Sequence, residues 1–277
     1  IIVEHNDGLG TVDGRAYSKK LTNEVRVVSV VHTSPVTGMT VDLEKITQEV
    51  RNVTPECIIV VDGIQHSSHG AIDVQKYDID GYVVSPYKMF SRHGYGVAWA
   101  SDRICALGKE QLVDGPAQNW ELGTRDAGSY ATFSDVLDYL DWLGSNFTNS
   151  ESARERLEAS SVAIKSHEQE LVDLVLNGSE NLVGLIKNKR IEIIGDLAAT
   201  SREGVVSFYL KNNPSSLIVE KLRQRKIRVH IRKDDHYCGN ILGPLNQKDC
   251  IRFSICHYNS KAEVIEFLKA INEISAH

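Results

Sequence analysis

Three residues stand out by type and spacing: a carboxylate, an amide and an amine. The stretch IIVVDGIQH (58–66) is apolar until Asp62, and Gln65 follows three residues later. Lys88 lies 26 residues beyond Asp62, in SPYK, just after the β-branched run GYVV (81–84). A short apolar run of this kind reads as a buried strand, and its last residue falls at the carboxyl edge of a sheet, where α/β proteins place ligands. The interval holds one crossover and one strand, so two neighbouring parallel strands would bring Asp62 and Lys88 to one edge. An acid, a lysine and a Gln gathered there suit pyridoxal phosphate. The lysine amine forms an imine with the cofactor aldehyde, and the carboxylate keeps the pyridine nitrogen protonated so that the ring acts as an electron sink. The Gln amide can bond the ring oxygen beside the imine, and Ser85 or Tyr87 can reach a phosphate oxygen. Burial lowers the lysine pKa and frees the amine for attack.

Taken singly, each residue has a plainer reading. Asp62 could cap a turn or serve as the metal acid of a nucleotide hydrolase, although no GxxxxGK[ST] loop occurs in the chain. Lys88 alone would be a surface lysine. The HSSH run (66–69) has zinc-compatible spacing but lacks a third ligand, and His66 could instead lie near a cofactor.

The elements that must position these groups follow from apolar spacing. VRVVSVV (25–31), CIIVV (57–61), GYVVS (81–85) and GYGVAWA (94–100) read as strands, and HTSPVTG is a loop after the first. Asp42 is placed to N-cap LEKITQEVR, with Leu43, Ile46 and Val50 on one face. This rhythm predicts an α/β unit with a mainly parallel sheet over 1–150. Helical spacing covers 129–143 and 152–177, the latter suited to linking two domains. IEIIG, GVVSFYL, IRVHI and IRFSI then alternate with SSLIVEKLRQR and KAEVIEFLKAINEI. They predict a long linking helix and a small α+β domain over 151–277.

Net charge is −6 across 277 residues, so no basic surface suggests nucleic acid or an anionic membrane. No run reaches the roughly 18 apolar residues of a membrane span. Five cysteines without a CxxC pair point to a reducing, cytoplasmic setting. Cys238 sits in RKDDHYCGN, which reads as a polar loop. There Arg232, Lys233 and His236 favour the thiolate, while Asp234 and Asp235 oppose it. The other four cysteines fall in or beside apolar runs and read as core.

The motifs VVDGIQ, DVQKYDIDGYVVSPYKMF and GYGVAWA resemble, as a set, the class V aminotransferase family of fold-type I pyridoxal-phosphate enzymes. The cysteine desulfurase branch, with D-G-A-Q and then S-G-H-K, is nearest. WELGTRDAGSYATFSDVLDYLDWLG resembles the family's F-E-x-G-T segment and its following helix. HIRKDDHYCGN and CIRFSICHYNSKAEVIEFLKAI resemble its closing segment. The resemblance implies a partial large domain plus a small C-terminal domain, acting on a small amino acid by C–S bond cleavage. Residue by residue, it implies Lys88 as the imine lysine, Asp62 on the pyridinium, Gln65 on the ring oxygen and Ser85 on the phosphate. Thr124 would reach the cofactor phosphate of a second subunit, in a homodimer with shared sites. Arg252 would clamp the substrate carboxylate, and Cys238 would accept sulfur.

The departures are as specific. Tyr87 stands where the family has a phosphate-binding His. Ser34 and Pro35 stand where it commonly has an Asn. The chain opens at Ile1 in IIVEHNDGLG, read as a strand and turn with no signal peptide. The family's first segment, which carries a phosphate loop and a stacking aromatic, is therefore expected upstream in a longer parent. If Cys238 is not a nucleophile, β-elimination, epimerisation and amino transfer remain open, since scaffold and lysine are common to all of them. A non-catalytic relative that binds the cofactor poorly and acts as a scaffold is the alternative of another class.

Overall fold

The computed structural model describes residues 1–6, 10–116, 119–120, 122–124 and 126–276. The chain divides into two compact units. One comprises Tyr17–His32 and Asp42–Ser161; the other comprises Ile1–Ala16, Thr33–Val41 and Val162–His277. The boundary expected between 150 and 151 thus falls between Ser161 and Val162, inside a helix. Two short N-terminal stretches also belong with the C-terminal unit.

The first unit is built on a four-stranded sheet in chain order: β1 (Val27–Val31), β2 (Ile58–Asp62), β3 (Gly81–Val84) and β4 (Val97–Ala100). β1, β2 and β3 are parallel, while β4 runs antiparallel to β3. Between β1 and β2 lies α1 (Leu43–Val53), capped by Asp42, whose side chain accepts from the Lys45 amide. Its buried face is Leu43, Ile46, Thr47 and Val50, the i, i+3, i+4, i+7 set that a core-facing helix requires. β1 alternates, with Val28 and Val30 buried and Val27 and Val31 exposed; Ile59 and Val61 of β2 are buried, and in β3 the adjacent Gly81 and Tyr82 are both buried. β4 is also shorter than expected, because Gly94 adopts φ +103 and pairing begins only at Val97. α2 (Ala127–Gly144) and most of the first half of α3 (Ala153–Asn177) complete the unit.

The second unit holds an antiparallel sheet of β5 (Ile191–Ile194), β6 (Val205–Leu210), β7 (His230–Lys233) and β8 (Asp249–Ser254), in spatial order β5-β6-β8-β7. α4 (Ser215–Gln224) and α5 (Lys261–Ala276) pack on it. Phe208, Ile218, Leu222, Ile251, Phe267 and Leu268 lie in a single core with Leu171, Val175 and Leu176 of α3. β7 starts three residues later than the run IRVHI suggests. Lys226 takes φ +64 after α4, and the Ile227 amide bonds back to Leu222, so those residues close the helix rather than open the strand. No strand forms over 1–6, where Ile1 and Ile2 are exposed without a pairing partner among the described residues. The turn expected after them falls at 7–9, outside the described residues.

The loop Thr33–Val41 is fastened to this sheet through three consecutive carbonyls. Pro35 O accepts from Arg252 Nη1 at 3.0 Å, Val36 O from Ser207 Oγ, and Thr37 O from Arg202 Nη1 at 3.1 Å. Gly38, at φ +76, lies so close to the Val205 carbonyl that a Cβ there would collide with it. No helix among the described residues is long and apolar enough to cross a membrane.

Candidate active site

The carboxyl ends of β2 and β3 gather most of the residues singled out from the sequence. Val31, Asp62 and Val83 stand in one cross-strand register, so Asp62 is the last paired residue of β2. Its Oδ1 accepts from the Ile64 amide at 2.9 Å, which turns the chain sharply off the strand. Its Oδ2 accepts no hydrogen bond among the described residues, which leaves one carboxylate oxygen available at the strand end.

That turn depends on glycine. A Cβ on Gly63 would fall inside the Tyr82 ring. The Tyr82 hydroxyl in turn lies 2.9 Å from Nδ1 of His32, the residue that follows β1. His32 stacks on His66 with ring centroids 3.7 Å apart, and both rings are buried. Gln65 precedes a single 3-10 turn, His66–Ser68, and its side chain is buried.

Lys88 is delivered by a second 3-10 turn, Pro86–Met89, that begins directly after β3. Pro86 fixes the backbone at its first position, and the Lys88 amide bonds to the Ser85 carbonyl at 3.0 Å. The turn ends on Phe90 at φ +68, a left-handed conformation that costs a bulky residue on the order of 1–3 kcal/mol. Lys88 Nζ donates to Gln65 Oε1 at 3.0 Å. Gln65 Nε2 meets His69 Nε2 at 3.2 Å. The loop after Lys88 is held by Ser91, whose hydroxyl lies 2.6 Å from the Tyr95 hydroxyl and 2.9 Å from that of Thr132 on α2.

The structure therefore brings Asp62, Gln65, Ser85 and Lys88 to one sheet edge. Tyr87 is on the same turn, but its exposed ring stacks on His93 at 4.3 Å. Thr124 is exposed, in the stretch leading to the Asp126 cap of α2. Glu121 of the F-E-x-G-T-like segment lies outside the described residues. Arg252 and Cys238 belong to the second unit.

Cys238 corrects an expectation. The run 232–240 is not one polar loop: Arg232 and Lys233 end β7, and Cys238 caps the short helix Gly239–Leu242. Cys238 is 2% exposed and packs with Val36, Ile194, Leu242 and Cys250. Burial pushes its thiol pKa up, and the Arg232 and Arg252 charges only partly oppose this. The protonated thiol is thus favoured. In HSSH, His66 Nε2 lies 3.2 Å from the Ala71 carbonyl and His69 Nε2 lies 3.2 Å from Gln65 Nε2. His32, Tyr82 and the contact between His69 and Gln65 were not anticipated. The signal for the last was the i, i+4 spacing of Gln65 and His69 across one tight turn.

The donor set at the strand edge fits pyridoxal phosphate. Asp62 offers an unengaged carboxylate oxygen to a ring N–H, Lys88 a primary amine to an aldehyde, and Gln65 a second amide proton to a ring oxygen. The chain matches the family described as Aminotransferase class-V over residues 2–267. It belongs to the class V aminotransferase family. Family members are pyridoxal-phosphate-dependent. An aminotransferase-like protein of Gibberella zeae is 27% identical, with 92% of this chain and 60% of that protein covered. A probable cysteine desulfurase of Treponema pallidum is 23% identical, with 97% and 63% covered. The apo cysteine desulfurase of Thermococcus onnurineus superposes with a TM-score of 0.79 at 21% identity, covering 99% of this chain and 65% of that one. The Escherichia coli cysteine desulfurase CsdA gives 0.77 at 21%, covering 99% and 64%. The fold is thus that of fold-type I enzymes. The chain spans somewhat under two thirds of the length of these relatives.

Proposed function

We propose that the protein binds pyridoxal phosphate through Lys88, Asp62, Gln65 and Ser85 and cleaves the C–S bond of a small amino acid. The observation that carries this reading is the 3.0 Å hydrogen bond from Lys88 Nζ to Gln65 Oε1 on the edge where β2 ends in Asp62. The bound cofactor would supply an aldehyde for the substrate amine and a ring that withdraws electrons from the α-carbon. Asp62 would hold a proton on the ring nitrogen of the bound cofactor, and the Lys88 amine would take and return the proton at the substrate α-carbon. Arg252 would hold the substrate carboxylate, and Thr124 would serve the site of a second subunit in a homodimer. The names of the desulfurase relatives support cysteine as the first substrate to try.

The burial of Cys238 favours one variant of this reading. Sulfur leaves by β-elimination, giving sulfide, pyruvate and ammonia, rather than passing to a protein thiol and leaving alanine. Epimerisation and amino transfer use the same scaffold and lysine and are screened in the same assay.

The test is a visible absorption spectrum of the full-length protein mixed with pyridoxal phosphate, with Lys88→Ala beside it. A band present in the parent and absent in the variant is expected. Cysteine is then added, and sulfide, pyruvate and alanine are measured. If neither protein gives a band, the enzymatic reading fails, and a scaffold relative that binds the cofactor poorly takes its place.

A further inference from the structure

Lys88, Gln65 and His69 form a chain of hydrogen bonds whose direction can be deduced. Lys88 Nζ donates to Gln65 Oε1, so the carbonyl oxygen is the end of the Gln65 amide that faces the lysine. The NH2 end then points at His69 Nε2, 3.2 Å away. An amide NH2 only donates, so that His69 nitrogen is the bare acceptor and the ring proton resides on Nδ1. Gln65 has a second Nε2 proton, which meets no acceptor among the described residues. Both Gln65 and His69 are nearly fully buried, so this order is not shared with bulk water.

We propose that His69 is a positioning residue for the cofactor site. By accepting from Gln65 Nε2, it holds the amide with its oxygen on Lys88 and its remaining N–H free to donate. The group that receives this N–H is an anionic oxygen, which on the reading above is the ring oxygen of pyridoxal phosphate. This part of the inference rests on that reading; the tautomer of His69 does not. Without an acceptor at position 69, the amide can turn over and present its carbonyl to that anionic oxygen. The ring oxygen then loses a donor, and the bound chromophore holds its proton more tightly.

Two measurements test this and fail separately. In the cofactor-free full-length protein, 15N NMR of the imidazole should report His69 with a bare Nε2, and one Gln65 amide proton should exchange slowly with solvent. A protonated Nε2 at neutral pH would overturn the proposal, whatever becomes of the cofactor reading. In the loaded protein, His69→Leu should raise the pH midpoint of the visible band by about 0.5–1 unit, the size of one hydrogen bond. His69→Gln, whose carbonyl can accept from Gln65, should move it back toward the parent value. A midpoint unchanged in His69→Leu would also overturn the proposal. If His69→Leu fails to fold, the tautomer and the amide exchange in the parent protein decide the matter alone.

Discussion

Asp80 and Arg51 form an ion pair, Nη2 to Oδ2 at 2.9 Å, with the Asp80 side chain almost fully withdrawn from solvent. The same carboxylate accepts from the Ile59 amide at 2.9 Å and from the Ser101 hydroxyl at 3.2 Å, and Arg103 lies 3.4 Å away. Asp80 immediately precedes β3, so this cluster fastens the amino end of the strand whose carboxyl end delivers Lys88. It joins α1, β2 and β3 at one point and fixes the register that sets Asp62 beside Val83.

Asp80→Asn should therefore cost about 3 kcal/mol, because it removes one partner of a buried charge and leaves the other. Burial pushes the Asp80 carboxyl up, but the Ile59 amide and the Arg51 and Arg103 guanidiniums bring it below the ordinary range. A lowered folded pKa means that the stabilisation is full above about pH 4, the unfolded value, and is lost as pH falls through the folded value. Denaturant titrations from pH 7 to pH 2 should show that the Asn variant loses less stability on acidification than the parent. Equal slopes in the two proteins would rule out this role for Asp80.

Gly63→Ala is expected to be disruptive in proportion to what it displaces. The added methyl lands on the Tyr82 ring, which can yield only by breaking its contact with His32. Overpacking of this kind costs about 1–3 kcal/mol. It also moves the turn between Asp62 and Gln65, so cofactor affinity should fall more steeply than stability. Thermal melts alongside pyridoxal phosphate titrations separate the two effects. A variant that binds the cofactor as tightly as the parent would show that the turn is not part of the site.

How far a feature is legible in the sequence follows the range of the interactions that form it. Asp62, Gln65 and Lys88 were legible because strand ends, tight turns and crossover lengths are local properties of the chain. The cap at Asp42 and the limits of α1, α2, α4 and α5 were legible for the same reason. The apolar setting of Cys238 was not legible, because its neighbours in sequence are polar, while its neighbours in space are Val36 and Ile194, far away along the chain. The same holds for the fastening of Pro35, Val36 and Thr37 by residues more than 160 positions later. His32 and Tyr82 meet across parallel strands, a contact that hydrophobic periodicity does not encode.

Burial of Cys238 makes a prediction about reactivity. The thiolate is the reacting form, and burial raises the thiol pKa of Cys238 and lifts that of Cys250 to about 12. Cys105, by contrast, is exposed. Iodoacetamide at pH 7.5 should label Cys105 well before Cys238 or Cys250, as read by peptide mass spectrometry over time. Cys238→Ala should cost about 1–2 kcal/mol through the cavity left beside Leu242. In that variant, pyruvate release from cysteine should persist. Early labelling of Cys238, or loss of all sulfide release in a folded Cys238→Ala variant, would restore it as the sulfur acceptor.

Two roles meet in the Arg252 guanidinium. Nη1 is bonded to the Pro35 carbonyl, so the fork is oriented by the loop that follows β1. A guanidinium fork meets a carboxylate in a fixed planar geometry, which a lysine ammonium cannot reproduce. Arg252→Lys should therefore keep a charge on β8 and yet raise KM for the amino acid by about tenfold, the loss of one charge-assisted hydrogen bond. The corresponding amine without its carboxylate should react equally poorly with both proteins. Arg202 supplies the control. Its guanidinium is pushed down to about 10 by burial and donates to the Thr37, Ile194 and Asp196 carbonyls. Arg202→Lys should lower stability by about 2–3 kcal/mol through unsatisfied buried carbonyls. It should leave KM close to the parent value wherever the protein remains folded. If Arg252→Lys behaves like Arg202→Lys, with lost stability and unchanged KM, then Arg252 is a fastening of the loop and not the carboxylate clamp.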